Sequence, residues 1–205
     1  RKFVIIYSIS ATDNSVQLRN KVKLRKAEKR RVKMNIRVLV ILALFVGIGT
    51  VLHYVAPPIF GMKPDMLLAM MFLGILLFPK MKYVTLMSIA TAIIAALTTT
   101  FPGGQISNLI DKPLTGLIFF GLYLLIRQHV NGNIAAPLLT AIGTLISGTI
   151  FLTVGLYILG ADVGVGFLAL YTTVVLPTTL INTIVMIVIY PLANNIMKRM
   201  QFATV

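Results

Sequence analysis

IRVLVILALFVGIGTVLHYVA, residues 36–56, is a run of 21 residues whose one charge, Arg37, lies at its edge. About 20 apolar residues suffice for a helix to cross the hydrocarbon of a bilayer. Pro57 and Pro58 follow and end the run. Its apolar residues are continuous rather than alternating, so it reads as a spanning helix and not as a strand of a membrane barrel.

Five further runs follow, each bounded by punctuation. Met66 to Phe78 is short, extends outward through Pro64 and Asp65, and stops at Pro79. Val84 to Thr100 ends at Phe101-Pro102-Gly103-Gly104. Leu114 to Ile126 is opened by Pro113 and closed by Arg127. Ile134 to Leu159 runs into the glycine-rich turn 160–166, and Phe167 to Tyr190 is closed by Pro191. The fold expected is an all-α integral membrane protein, a bundle of six transmembrane helices. The second and fourth runs are short for full spans; they are buried in the bundle, thin the bilayer locally, or are re-entrant.

Composition agrees. Of 205 residues, 58% are hydrophobic and 12% charged, against about 45–50% and about 25% in soluble domains. That excludes an ordinary soluble globule and a disordered chain. Cysteine is absent, which excludes disulfides, thiolate metal sites and cysteine nucleophiles. No Walker loop, Rossmann fingerprint or zinc spacing is present, so neither cofactor nor metal is expected. No Glu follows residue 28, and the Asp residues fall at the outer rim of the runs. No nucleophile, base and orienting group can be assembled, so the chain does not read as an enzyme.

The net charge of +14 is unevenly spread: residues 1–33 hold eleven Lys/Arg against two acids. No RNA-reading motif accompanies them, so nucleic acid is not an expected partner. Residues Lys29 to Met34 back-translate as AAA AGG AGG GUG AAA AUG, a ribosome-binding site followed by a start codon. Residues 1–33 are therefore expected to be a translated leader or a disordered basic tail, and residues 34–205 the transmembrane domain. Lys80 and Lys82, Arg127, and Lys198 and Arg199 follow the second, fourth and sixth runs. The positive-inside rule then places both termini in the cytoplasm.

Two outer loops share a chemistry. Residues 57–65, PPIFGMKPD, and 101–113, FPGGQISNLIDKP, each carry one Lys, one Asp and a Pro placed to open a helix. An amino-acid zwitterion fits such a site. Its carboxylate suits a helix N-terminus, Lys63 or Lys112; its ammonium suits Asp65 or Asp111; Gln105, Ser107 and Asn108 supply neutral hydrogen bonds. Phe60 and Phe101 suit an apolar side chain. The alternative is that both Asp residues cap helices and pair with nearby lysines at the interface. Asn182, one turn after Thr178 and close to Pro177, is a substrate contact or an interhelical hydrogen bond. The candidate substrate-binding residues are thus Lys63, Asp65, Gln105, Asn108, Asp111, Lys112 and Asn182. His53 is expected at the interface beside Tyr54, with proton coupling as the alternative. Gly143 with Ser147, Thr144 with Gly148 and Ala92 with Ala96 have the spacing of helix-packing pairs.

GMKPDMLLAMMFLGILLFP at 61–79, ALTTTFPGGQISNLIDKP at 96–113 and VVLPTTLINTIVMIVIYP at 174–191 resemble the bacterial tryptophan transporter family of small six-helix membrane proteins. The resemblance covers Met34 to about Arg199 and implies tryptophan, or a related aromatic amino acid, imported across the cytoplasmic membrane of a bacterium. The architecture is also similar to the substrate-binding S components of energy-coupling-factor importers. Those bind vitamin-like nutrients and work with a transmembrane coupling protein and ATPases. Three readings follow: a carrier driven by an ion gradient, a binding subunit of an ATP-driven importer, and a structural or regulatory membrane protein.

Overall fold

The computed structural model describes residues 35–58 and 62–199. The expected leader at 1–33 and Phe60 lie outside the described residues. Six helices run through them: α1 Ile36–Val55, α2 Leu67–Leu77, α3 Met81–Thr98, α4 Gly104–Ile126, α5 Gly132–Ile158 and α6 Phe167–Arg199. The described residues from Val40 onward form one compact unit.

Within that unit polarity is inverted relative to a water-soluble protein. Thr115, Thr140, Thr144, Ser147, Thr178 and Asn182 are buried, whereas Val51, Leu97, Leu125, Leu168 and Leu180 are each more than 60% exposed. Such an apolar exterior suits lipid, where polar side chains turn inward to meet one another. Five of the helices are long and apolar enough to cross a membrane; α2, with 11 residues, is not. At 1.5 Å per residue it covers about 16 Å, roughly half the hydrocarbon thickness of ~30 Å. Ten of its eleven residues are buried, and it packs against α3, α4, α5 and α6. An all-round apolar helix is stable as the centre of a bundle, so α2 is the buried element that a short run allows.

The fourth run is corrected. α4 does not begin at Pro113 but at Gly104, nine residues earlier, and Pro113 lies inside it. Gly103, at φ 71°, makes the left-handed turn that glycine permits, and the helix starts at once. Loop residues 104–113 are therefore its opening turns. Pro191 likewise lies within α6 rather than closing it. A proline removes one N–H from the helix ladder, a loss that neighbouring helices accommodate in a membrane bundle. Where α5 ends and α6 begins, the helices widen into π-helical stretches, Thr153–Ile158 and Tyr171–Val175. The second lies immediately before Pro177, whose ring crowds the carbonyl four residues back.

The small residue Gly143 of α5 seats the core. Phe72 of α2 and Phe119 of α4 stack with centroids 4.0 Å apart and planes 5° from parallel. A Cβ at Gly143 would come within 2.7 Å of Phe72 and 2.9 Å of Phe119. Gly121 has open space at the same test. Gly143→Ala is expected to cost about 1–3 kcal/mol through overpacking, whereas Gly121→Ala should be neutral or gain up to ~1 kcal/mol from helix propensity. Thermal denaturation of the two purified variants in detergent checks the contrast.

Candidate functional site

The site is built around the ammonium of Lys112, on α4 and only 1% exposed. It pairs with Asp65 Oδ2 on one side and donates to Asp111 Oδ2 at 2.6 Å on the other. Ser147 Oγ of α5 accepts a third bond at 3.3 Å and donates to Asp111 Oδ2 at 2.6 Å. Thr115 Oγ1, one turn along α4, donates to Asp111 Oδ1 at 2.7 Å. Two carboxylates therefore share one ammonium, and every bond to Asp111 comes from a donor. Burying a lone charge in such surroundings costs several kcal/mol, and only close pairing with full hydrogen bonding offsets it.

Asp65 joins more elements than any other group in the cluster. Its Oδ1 accepts the Leu68 N–H at 3.2 Å, which caps α2. Its backbone carbonyl accepts Asn182 Nδ2 of α6 at 3.0 Å, and the same amide lies 3.4 Å from Thr144 Oγ1 of α5. His53 of α1 places Nδ1 3.2 Å from the Pro64 carbonyl and 3.9 Å from Asp65 Oδ1. Asn108 donates to Ala95 O of α3 at 3.3 Å and to Gly104 O at 2.9 Å.

A cavity of about 40 Å³ opens beside this cluster, room for about three waters at the ~10–15 Å³ that each needs. Its polar wall includes Asp65, Lys112, Asn108, Thr144 and Thr178; Met62, Phe151 and Val175 make it apolar elsewhere. Phe101 packs edge-on against Phe151 at 5.3 Å, one layer behind.

The structure brings together five of the seven candidate residues: Asp65, Asn108, Asp111, Lys112 and Asn182. Of these, Asp111 and Asn182 sit behind the cavity wall rather than on it. Lys63 is at the cavity too, with its ammonium 5.2 Å from the centre of the Tyr54 ring. Gln105 is exposed and is not among the cavity-lining residues. The placement of Asp111 in a loop is corrected: it lies within α4 and is completely buried. Lys112 is buried with it because the early start of α4 puts both residues on a helix instead of a loop. His53 is also corrected: it is 5% exposed and lines the cavity, while Tyr54 faces outward. Thr144, Ser147 and Thr178 were missed as site residues. Their signal was the four-residue spacing of Thr144 with Gly148 and Thr178 with Asn182. The small-residue pairs on α5 serve both ends, since Gly143 packs aromatic rings while Ser147 and Thr144 reach the polar cluster.

Lys112→Met leaves two carboxylates buried without their cation, and should destabilise the protein by about 3–5 kcal/mol. The triple variant Asp65→Asn, Asp111→Asn, Lys112→Met should recover much of that loss. Thermal unfolding of both proteins in one detergent decides the matter.

The family model described as Tryptophan transporter TrpP matches residues 35–198. A Bacillus subtilis (strain 168) protein described as "Probable tryptophan transport protein" is 51% identical over 170 residues, 82% of this chain and 97% of its own length. A Clostridium acetobutylicum protein with the same description is 41% identical over 167 residues, 81% of this chain and 96% of its own. No solved structure matches the chain. The matched region runs from α1 through α6 and contains the whole charged cluster, and the chain belongs to the tryptophan transporter family.

Proposed function

We propose that this chain imports tryptophan across the bacterial cytoplasmic membrane as a multi-pass carrier, with residues 34–205 as its transmembrane domain and both termini on the cytoplasmic side. Lys80 between α2 and α3, Lys82 in the first turn of α3, Arg127 after α4, and Lys198 and Arg199 at the end of α6 support that orientation. The cavity then lies toward the outer face, beside the connections that carry Met62, Lys63 and Thr99.

The observation that carries the reading is a carboxylate open to a mixed polar and apolar cavity. The Asp65 side chain is 18% exposed, whereas Asp111 is sealed beneath it. Asp65 takes the substrate ammonium, and Lys63, on the same cavity, takes the carboxylate. Phe151, Met62 and Val175 receive the indole. An indole does not fit 40 Å³, so binding parts the walls. A Cβ on Gly148 of α5 would collide with Val175 of α6, which shows how tightly the two helices meet there. The adjoining π-helical stretches of both helices are the places where such helices yield.

Labelled tryptophan uptake by tryptophan-requiring cells that lack their own importers and express the full chain tests this. Uptake should saturate and be displaced by unlabelled tryptophan. Asp65→Asn removes a hydrogen bond to a charged group, worth about 1.5–3 kcal/mol, so uptake at low substrate should fall about ten- to a hundredfold with membrane insertion intact. Absence of uptake by correctly inserted wild-type protein overturns the reading.

A further inference from the structure

We propose that Lys112 is a built-in competitor for the substrate's ammonium, holding Asp65 when the site is empty and handing it over when tryptophan binds. The proposal rests on the reading that Asp65 is the ammonium site, and it adds what must leave for that site to become free.

The two ends of the Lys112 bridge are held unequally. Asp111 has three donors: Lys112 at 2.6 Å, Ser147 at 2.6 Å and Thr115 at 2.7 Å. Asp65 has the Lys112 ammonium, one backbone N–H, that of Leu68 at 3.2 Å, and the His53 ring nitrogen 3.9 Å away. Asp111 is sealed, and Asp65 faces the cavity. A ligand arriving through the cavity therefore meets the Asp65 end of the bridge first. A primary ammonium presents the same charge and the same three donors as the Lys112 side chain, so it can replace Lys112 on Asp65 one for one. Lys112 does not become an orphaned charge when displaced, because Asp111 and Ser147 still hold it. The exchange avoids the large penalty of stranding a buried ion.

Two consequences follow. The Asp65–Lys112 pair ties the segment leading into α2 to α4, and the exchange releases that tie only for a ligand that carries an ammonium. A ligand shifts a conformational equilibrium only through a difference in its affinity for the two states, and here the ammonium is the source of that difference. The empty site also charges the ligand a competition cost. If Lys112 occupies Asp65 about nine-tenths of the time, apparent affinity is reduced about tenfold.

The chain contains no tryptophan, so a change in the ligand's indole emission on adding the purified full-length protein reports binding without tryptophan emission from the protein. The double variant Lys112→Met, Asp111→Asn removes the competitor and one of the two carboxylates that its loss would strand. It should bind tryptophan and tryptamine about tenfold more tightly than wild type. Asp111→Asn alone leaves Asp65 as the remaining carboxylate for Lys112, and should weaken both ligands about tenfold. Indole-3-propionate, which has no ammonium, should bind weakly and equally to all three proteins. Opposite shifts at one cluster exclude general structural damage, which weakens binding in both variants. If the double variant does not fold, Lys112→Gln in the Asp111→Asn background replaces it, with the same expectation. Wild-type protein that binds tryptophan, with a double variant no tighter, overturns the exchange while leaving the transport reading standing. Wild-type protein that binds no tryptophan overturns the transport reading itself.

Discussion

One ammonium shared by two carboxylates inside an apolar bundle is the constraint around which the rest of the structure is arranged. Lys112, Asp65 and Asp111 come from two segments, and further helices supply partners: Ser147 from α5, His53 from α1 and Asn182 from α6, the last itself held by Thr144 of α5. A charge at this depth is tolerated only when every partner is present. The hydroxyls on α4 and α5, the early start of α4 and the cap that Asp65 places on α2 all serve that requirement. Removing any one leaves a buried charged group short of a partner.

The short helix α2 is the second constraint, and it follows from the first. Its N-terminus is fixed by Asp65, so its apolar sides can be buried only if longer helices surround it. Gly143 then lets α5 close over the stacked Phe72 and Phe119. The same face of α5 carries Ser147 one turn on. Packing and polar recognition thus share one stripe of small residues, which ties the position of the charged cluster to the quality of the core.

Much of this was legible in the chain. Continuous apolar runs located all six helices, and the shortness of the second run left burial as one of three outcomes. The sequence also singled out Asp65, Asn108, Asp111, Lys112 and Asn182, because Asp, Lys and Asn are costly near apolar runs and remain there for a reason. Proline was over-read as a boundary. Pro113 and Pro191 stop helices in water, but lipid offers a broken helix no partner for its freed groups, so α4 and α6 pass through both. Gln105 was included because it neighbours the other candidates in sequence; once residues 104–113 are helical, it points outward while Asn108, Asp111 and Lys112 point in.

The sequence alone therefore determined the class of fold, the six helices among the described residues and the residues with something to pair. Hydrophobic run length and the energetic cost of charge near lipid are local properties, visible without neighbours. Only the tertiary structure decided who pairs with whom. Asp65 meets Lys112 rather than the nearby Lys63, and His53 turns inward. Asn182 reaches a backbone carbonyl 117 residues away. These choices depend on how four helices close on one another, and that geometry is written in no single segment of the chain.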